Sequence, residues 1–565
     1  MRYSALSLYL AAIAAAQHAY VTRDTGAALS SLTLSGPASI PGEWTTPPLN
    51  PSLASFSIET AFFEDYLGNA SYPNTLSISL FQNLMDRAGV APQIRIGGIT
   101  ADSTTWDPDQ DVALYNYIDG TGALVNTTLG PQFWNSVKLL PEGTRIVMTL
   151  VSQVTNWLWI GFDLAQDLES LNYTGALSMA EAAWAGLGPD IISRFEIGNE
   201  PDQYPLDFDA QNYTMIWQPW SVNVSKALDI SYPEFQVGAT VIDPLWPYNT
   251  PQAEAQFDCA SALAAGADDG HTVKTCSEHT YQYSVCDPIR AAVATLSNLV
   301  NHTRLAEYLD LWQPRIHAVR SQLGPDSFVI GEFNSVSCSG RDNVSNTFGQ
   351  AMWLLDTTLY AASINVSRVY AHQGGPLALQ SATQLNHGGL SLYNLWYPVE
   401  NQNGPVQVFP AYSAYLFVSE LIGGSTSLQT ANIFPGRQAN GSSITTAEGD
   451  PSAGQLSVYG YWDNPNAKYP AKLGILNLEM YNSTATYPRP NVTVDFSAYL
   501  AYPGQVATAR TMTAPGADIK EANVTTWAGQ TFATGVAEGT LVEEYITSGR
   551  IDVAASSAIL ITLDS

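Results

Sequence analysis

The chain has 565 residues, of which 45% are hydrophobic and 11% aromatic, enough for sizeable buried cores. This length exceeds the size at which a single core stops growing, so we expect two domains. Acidic residues outnumber basic ones by 51 to 22, giving a formal net charge of −29, and Lys and Arg form no cluster. The charge balance therefore argues against nucleic acid or an anionic membrane as a partner.

The N-terminus is typical of a secretory signal peptide, residues 1–16. Arg2 precedes an apolar run, Ala5 to Ala16, that is too short to span a bilayer and ends in small residues that favour cleavage after Ala16. Twelve N-x-S/T sequons follow, at Asn69, Asn126, Asn172, Asn212, Asn223, Asn301, Asn343, Asn365, Asn440, Asn482, Asn491 and Asn523. Together these features predict a secreted, extracellular glycoprotein.

Four cysteines lie within one part of the chain, and their spacing matches no zinc motif. In a secreted protein they should form two disulfides, for which three connectivities are possible. We favour Cys259–Cys276 as a local clip and Cys286–Cys338 as a longer cross-link.

Strand-like and helix-like segments alternate through the first three quarters of the chain. Predicted strands cover 56–59, 93–97, 145–151, 191–197, 235–239, 273–279, 328–332 and 369–372. Predicted helices cover 74–88, 131–140, 178–188, 251–265, 301–323, 344–362 and 410–422. This alternation predicts an α/β fold, a (β/α)₈ TIM barrel over 51–423.

After Gly423-Gly424 the pattern changes to short alternating segments separated by Gly, Pro and Asn turns. It predicts an antiparallel β-sandwich domain over 424–565. Residues 17–50 are rich in Ser, Pro and Gly and contain short β-like pieces.

Two glutamates end predicted strands in the same way. The fourth strand leads into Gly198-Asn199-Glu200-Pro201, and the seventh ends in Ile330-Gly331-Glu332. In a TIM barrel the chemistry lies at the carboxyl ends of the strands, and strands four and seven face each other across the mouth. A lone glutamate at such a place is more often a helix cap or a rim carboxylate, but two of them are unlike a chance arrangement.

A carboxylate pair across a cleft suits glycoside hydrolysis. At about 5–5.5 Å, one carboxylate attacks the anomeric carbon while the other protonates the leaving oxygen, with retention of configuration. We assign Glu200 as the acid/base, because burial and a neighbouring carboxylate raise a carboxyl pKa, and Glu332 as the nucleophile.

These motifs resemble those of glycoside hydrolase clan A, and three others narrow the resemblance to family 79, which contains heparanase and β-glucuronidases. They are Ile94-Arg95-Ile96-Gly97-Gly98 with Asp102, Ser57-Ile58-Glu59, and His279-Thr280-Tyr281. Segments 369–374 and 393–398 resemble the fungal secreted β-glucuronidase branch. The resemblance also implies that residues 17–50 contribute strands to the sandwich.

The resemblance implies further roles. Asn199 would form a hydrogen bond with the sugar 2-hydroxyl. Tyr281 would keep Glu332 ionised, or else Tyr281 is an ordinary aromatic residue at the rim of the barrel. Arg95 orients Glu332, lines the mouth or serves as a structural ion-pair partner, and Asp102 is a second supporting residue of the site. Substrate contacts are also expected from Glu59, His372 and Gln373, although His372 is nearly as well explained as a core histidine.

For the uronate carboxylate, the resemblance implies backbone N–H donors from loop 336–340, which contains Ser337 and Ser339. Turn N–H groups can hold an anion without a net positive charge. A disulfide at Cys338 would also make this loop rigid.

The sequence therefore predicts a retaining glycosidase that releases terminal β-linked glucuronic acid, or its 4-O-methyl form, from polysaccharide or proteoglycan side chains. No cofactor and no metal are called for. Two alternatives stay open: a clan A β-glycosidase for a neutral sugar, and a non-catalytic carbohydrate-binding homologue. The natural glycan, exo or endo cleavage and the oligomeric state are not determined by the sequence.

Overall fold

The computed structural model describes residues 29–34, 39–40, 45–118, 120, 124–150, 172–203, 209–241, 257–375, 390–401, 404–435 and 455–563. The predicted signal peptide and part of the segment 17–50 lie outside these ranges, as does the first part of the helix predicted at 251–265.

Eight parallel strands close into a barrel in which the last strand pairs with the first. In chain order, barrel strands one to eight are Ala54–Glu59, Ile94–Gly97, Ile146–Leu150, Ile192–Ile197, Phe235–Thr240, Val273–Ser284, Phe328–Ser337 and Arg368–Gln373. Each contains one of the eight predicted segments, at least in part. The predicted (β/α)₈ barrel is confirmed, and with it the placement of strands four and seven on opposite sides of the mouth.

Helices pack around the barrel. Those described are Phe63–Leu67, Thr75–Ala88, Phe133–Val137, Tyr173–Leu187, Ala210–Ala227, Cys259–Ala264, Pro288–Val293, Leu296–Leu299, His302–Asp310, Gln313–Leu323, Phe348–Ser363 and Tyr412–Ile422. Asn74 caps the second of these by accepting a hydrogen bond from the Ser77 N–H. Asn83, Arg87 and other polar residues occupy the outer side of this helix, whereas Leu80 and Leu84 are fully buried.

Several helix predictions were wrong in their bounds, and two of them show a physical reason for the difference. The helix expected to begin at Ser178 begins at Tyr173, because the side chain of Asn172, not of Ser178, accepts the first free N–H. The single helix expected over 301–323 is two helices, which end and begin on either side of Trp312. Pro314 lacks the N–H that a continuous helix needs, and it occupies the first turn of the second helix instead.

A small sheet that the sequence did not predict follows barrel strand two. It consists of Thr104–Trp106, Leu114–Ile118 and Leu124–Leu129. The side-chain amide of Asn116 donates to the Ala61 carbonyl, two residues after Glu59. The sheet therefore lies against the loop that follows barrel strand one, at the carboxyl-terminal face.

The C-terminal region is the predicted antiparallel β-sandwich. Its larger sheet contains Gln429–Phe434, Leu456–Trp462, Lys472–Asn477, Ala507–Thr513, Thr526–Trp527, Glu544–Ile546 and Ser557–Leu563. The smaller sheet contains Ser31–Thr33, Asn491–Asp495 and Arg550–Ala554. Ser31–Thr33 pairs in parallel with Thr493–Asp495, so a piece of the segment 17–50 lies in this sheet. Both sheets contribute to one apolar cluster, which includes Leu34, Val458, Val494 and Ile561.

The sandwich packs directly on the barrel. Tyr459, Leu476 and Leu560 of the larger sheet belong to the same apolar core as the barrel helices. Polar contacts reinforce the interface: Lys472 Nζ donates to the carbonyls of Glu420 and Leu421 at 2.9 and 2.6 Å. One face of the larger sheet therefore packs into the apolar core of the barrel helices, while the two sheets of the sandwich enclose a separate apolar cluster between them.

Both predicted disulfides are confirmed, Cys259–Cys276 and Cys286–Cys338, each with 6.0 Å between Cα atoms. The second joins the loops that follow barrel strands six and seven. Among the described residues, every helix is too short or too polar to cross a bilayer.

Candidate active site

Glu200 and Glu332 come together at the carboxyl-terminal mouth of the barrel. One oxygen of each carboxylate and one nitrogen of His279 all lie within 4.8 Å of one another. Glu332 is almost fully buried, with 7% of its side chain exposed, whereas 25% of the Glu200 side chain faces the cleft. The two carboxylates are thus closer than the roughly 6.5–9.5 Å of inverting glycosidases, which favours the retaining arrangement.

Donors and cations surround Glu332. Tyr281 donates its hydroxyl to Oε1 at 2.7 Å, and Arg95 donates to Oε2 at 2.9 Å. His372 Nδ1 lies 3.5 Å from the same Oε2. Burial alone would raise the pKa of Glu332, but His372, Arg95 and the Tyr281 hydrogen bond outweigh burial and lower it. Glu332 is therefore held ionised, as a nucleophile requires.

Glu200 has the opposite environment. Burial and the negative charge of Glu332 raise its pKa, so Glu200 keeps its proton well above the ordinary range of a glutamate. Its Oε1 lies 3.0 Å from His279 Nδ1. Burial and the charge of Arg95 lower the pKa of His279 to about 4, so His279 is neutral at neutral pH and can accept the Glu200 proton in a hydrogen bond. Glu200 is therefore held as an acid.

Arg95 is the centre of the buried network beneath both carboxylates. It is fully buried and contacts Glu196 Oε1 at 2.7 Å, opposite the side that contacts Glu332. Glu196 also accepts from Thr149 at 2.9 Å and from Gln236 at 2.6 Å. The guanidinium donates to Asn199 Oδ1 at 2.9 Å. Arg95 thus orients Glu332 and Asn199 at once, and Glu196 balances its charge.

Glu59 and His372 form a second cluster on barrel strands one and eight. Glu59 Oε1 lies 3.2 Å from His372 Nε2, and its Oε2 accepts from the N–H of Thr100 at 2.9 Å and from the Thr100 hydroxyl. Glu332 and Glu59 raise the pKa of His372 against the effect of burial. The raised pKa favours the protonated form of His372, which links the predicted sugar-binding carboxylate Glu59 to the predicted nucleophile Glu332 and is more than an apolar core residue.

Tyr393, which the sequence analysis did not assign a role, joins this group. Its ring centroid lies 6.0 Å from that of His372 and 6.3 Å from that of Tyr281. Burial and the charges of Glu332 and Glu59 raise the pKa of Tyr393 well above its usual value. The hydroxyl therefore stays protonated and can donate.

Loop 336–340 turns sharply beside Tyr393. Cys338 and Ser339 both adopt left-handed backbone conformations, with φ of 62° and 67°. The Gly340 N–H donates to the Val336 carbonyl at 3.0 Å, so this donor is used within the turn. Ser337 is half-buried at the end of barrel strand seven. The disulfide at Cys338 ties the loop to the end of barrel strand six.

Two other residues predicted to belong to the site, Gln373 and Asp102, lie at the end of barrel strand eight and in the turn that follows barrel strand two. Gln373 accepts the Leu395 N–H at 2.9 Å and donates to the His372 carbonyl at 2.8 Å, so its amide orders the loop after strand eight. Asp102 lies half-buried in the turn Ile99–Ser103 after strand two. For Gln373 the structure favours a supporting role over direct sugar contact.

Among the described residues, Glu200, His279 and Glu332 offer ligand atoms close enough together to bind a metal ion. The Arg95 guanidinium already places a positive charge 2.9 Å from Glu332. That charge competes with a metal ion at the same carboxylate.

Glu196, Thr100 and Tyr393 are the site residues that the sequence analysis missed. Glu196 had a usable signal, because a glutamate within a predicted buried barrel strand must find a counter-charge, and Arg95 on strand two can supply one. Thr100 and Tyr393 lie in loops, where no periodic pattern predicts the direction in which a side chain points.

Comparisons with known proteins agree with the resemblance to glycoside hydrolase family 79. The model of the glycosyl hydrolase family 79 C-terminal beta domain matches residues 458–560. A β-glucuronidase of Aspergillus niger is 26% identical over 574 aligned positions, 94% of each chain, and a β-glucuronidase of Neurospora crassa is 26% identical over 81% of this chain and 80% of its own. Among solved structures, a 4-O-α-L-rhamnosyl-β-D-glucuronidase from Fusarium oxysporum superposes with a TM-score of 0.70 at 20% identity, over 94% of this chain and 100% of that one.

The two sequence relatives extend over most of the chain, and the domain match lies within the sandwich. The resemblance to glycoside hydrolase family 79 is therefore confirmed, and this chain is a relative of that family's fungal β-glucuronidases.

Proposed function

We propose that the chain is a retaining β-glucuronidase that releases terminal glucuronic acid from glycan side chains. The observation that carries the proposal is the pair Glu200 and Glu332, whose carboxylates are close enough for double displacement and whose pKa values are shifted in opposite directions. The relatives named β-glucuronidase support the choice of sugar.

In the first step Glu332 attacks the anomeric carbon, and a bond forms between its oxygen and that carbon. The glycosidic C–O bond breaks, and its electron pair leaves with the aglycone oxygen, which takes the proton of Glu200. Asn199, oriented by Arg95, is placed to bond the 2-hydroxyl, a contact that strengthens as positive charge develops on the sugar.

In the second step Glu200 removes a proton from water, and the resulting hydroxide displaces Glu332 from the sugar. Esterified Glu332 no longer carries the negative charge that helped to raise the pKa of Glu200. The pKa of Glu200 then falls, which suits its change from acid to base. One pair of side chains thus serves both steps.

For the substrate carboxylate we propose the region of Tyr393 and loop 336–340. The support is the protonated Tyr393 hydroxyl beside Ser339 and the left-handed turn at Cys338 and Ser339. Glu59 and His372 would take the hydroxyls on the other side of the ring.

The test compares 4-nitrophenyl β-glucuronide with the corresponding β-glucoside and β-xyloside. We expect kcat/KM for the glucuronide to exceed the others by about 10³-fold, because a site built for one polar group rejects analogues that lack it. Proton NMR of the first product should show the β-anomer. A preference for a neutral sugar would point to the other glycosidase reading, and binding without turnover would point to a carbohydrate-binding homologue.

The natural substrate is addressed by product analysis on a glucuronidated arabinogalactan. We expect free glucuronic acid or its 4-O-methyl form, and release of oligosaccharides would indicate internal cleavage instead.

We also propose secretion. The support is the pair of disulfides, which form and persist in oxidising compartments. N-terminal sequencing of protein recovered from the culture medium should begin at Gln17, and recovery in the cell fraction alone would contradict this proposal.

A further inference from the structure

Asp202, two residues after the acid/base, is a buried carboxylate that the mechanism above does not use. It lies in the turn Pro201–Gln203, with 3% of its surface exposed. Its Oδ1 accepts the backbone N–H of Val241 at 3.0 Å, and its Oδ2 accepts from the Gln203 side chain at 3.2 Å. Burial raises the pKa of Asp202 to about 7, so placing a carboxylate here is costly.

The backbone of Glu200 needs external support. Its φ of 48° lies in the left-handed region, which is unfavourable for a residue with a side chain by roughly 1–2 kcal/mol. The Glu200 N–H donates to the Ala239 carbonyl at 2.9 Å, and the Gln203 N–H donates back to the Glu200 carbonyl at 2.8 Å. The conformation that aims Glu200 into the cleft is therefore held by contacts outside strand four itself.

The regular pairing between barrel strands four and five ends well before Glu200. Its register consists of Phe195 with Phe235 and Glu196 with Gln236. Beyond these pairs, two bonds join the strand ends near the mouth: Glu200 N–H to Ala239, and Val241 N–H to Asp202. The second involves a side chain, and it closes the turn on the far side of Glu200.

We propose that Asp202 is a positioning residue, which holds the Glu200 turn against the end of barrel strand five and so fixes the direction in which Glu200 delivers its proton. The inference rests on the proposed function and adds a residue to it. Asp202 acts through the Val241 N–H, so an acceptor atom at this place is required and a negative charge is not.

The test uses leaving-group dependence, because protonation matters most when the leaving oxygen is basic. We compare Asp202→Ala with the unaltered chain on two substrates. Phenyl β-glucuronide has a poor leaving group, phenolate, which needs a proton. 2,4-Dinitrophenyl β-glucuronide has a good leaving group, dinitrophenolate, which departs without one. Since small misplacements of a catalytic group can cost 10²-fold, we expect kcat/KM to fall about 10–100-fold for the phenyl substrate. For the dinitrophenyl substrate, where general acid catalysis is not needed, we expect a change within about twofold.

Asp202→Asn keeps an oxygen acceptor for Val241, so it should restore phenyl activity to within about threefold of the unaltered chain, as expected when only one hydrogen bond matters. Asp268→Ala is the matched control. Asp268 accepts the N–H of Val273 at 3.0 Å, the same kind of bond, at the opposite end of the barrel. This variant should lose stability with an unchanged ratio between the two substrates.

Equal losses on both substrates in Asp202→Ala, or a loss in Asp202→Asn as large as in Asp202→Ala, would overturn the proposal. If the unaltered chain hydrolyses neither glucuronide, the proposed function fails instead. The two failures are thus told apart by the first measurement.

Discussion

Glu200 and Glu332 are chemically identical side chains only a few ångströms apart, and their neighbours separate their roles. Glu332 contacts Arg95, Tyr281 and His372, which stabilise its charge. Glu200 contacts a neutral histidine and feels the charge of Glu332, which stabilises its proton. At the scale of single residues, the site is thus defined by which carboxylate has the cations.

The pH dependence of kcat/KM follows from this asymmetry. Glu200 must be protonated and its pKa is raised, so activity is lost as the pH rises through that raised value. Glu332 must be ionised and its pKa is lowered, so activity is lost only as the pH falls through that lowered value. The unaltered chain should show both limbs on phenyl β-glucuronide, whose leaving oxygen needs a proton. Glu200→Gln, measured on dinitrophenyl β-glucuronide because that substrate needs no general acid, should show the acidic limb alone. An alkaline limb in this variant like that of the unaltered chain on phenyl β-glucuronide would show that a group other than Glu200 causes it.

Glu196 is expected to matter for stability through Arg95. Glu196→Gln leaves the buried guanidinium with one counter-charge fewer, and breaking a buried pair costs about 3–5 kcal/mol of unfolding free energy. Denaturant unfolding should show this loss. Glu142→Gln, an exposed site, is the control and should change stability by less than about 0.5 kcal/mol. Similar values for the two variants would contradict the role of Glu196.

At the scale of elements, the strand ends and the turns after them place the functional side chains. Barrel strand two ends at Gly97, and Gly98 follows with a φ of 81°, which lets the chain turn tightly so that the Thr100 N–H reaches Glu59. A Cβ on Gly98 would lie 2.6 Å from the Glu59 carboxylate. The turn and the Glu59 carboxylate, which is predicted to bind the sugar, therefore depend on each other.

Gly98→Ala should displace Glu59 and lower kcat/KM for the nitrophenyl glucuronide by about tenfold, through a loss of one or two substrate hydrogen bonds. Gly143→Ala is a matched control, because Gly143 has the same φ of 81° but open space where its Cβ would lie. Both variants carry backbone strain, and both should melt at lower temperature. Equal activities in the two variants would show that Glu59 does not contribute to substrate binding.

At the scale of the whole molecule, one face of the sandwich shares an apolar core with the barrel helices, and the helix Tyr412–Ile422 lies between the two regions. Glu420 on this helix accepts from Arg510 and, at 2.8 Å, from Trp527, both in the sandwich. Separating the two regions would expose this core to water.

Thermal unfolding should therefore occur as a single cooperative transition, although the chain has two regions. Calorimetry is the measurement, and the calorimetric and van't Hoff enthalpies should agree. A fragment of residues 51–423 should fail to fold, because it lacks the sandwich side of the core. Two resolved transitions, or a folded fragment, would contradict a shared core.

Much of the fold could be predicted because its signals are local. The eight barrel strands are short apolar segments bounded by Gly and Pro, and their order along the chain dictates their order around a parallel barrel. The facing positions of Glu200 and Glu332 follow from strand count alone. The helix over 301–323 was wrong because a two-residue break at Leu311 and Trp312 leaves the apolar periodicity almost intact.

The sequence by itself determined the barrel, the sandwich and the strand ends that bear the two glutamates, since each depends on periodicity or spacing along the chain. Only the tertiary structure decided which glutamate has the cations, how Glu196 balances Arg95, and that Asp202 reaches Val241. Those contacts join residues from 39 to 237 positions apart. They depend on the register between separate strands and on loop conformation, which no local pattern encodes.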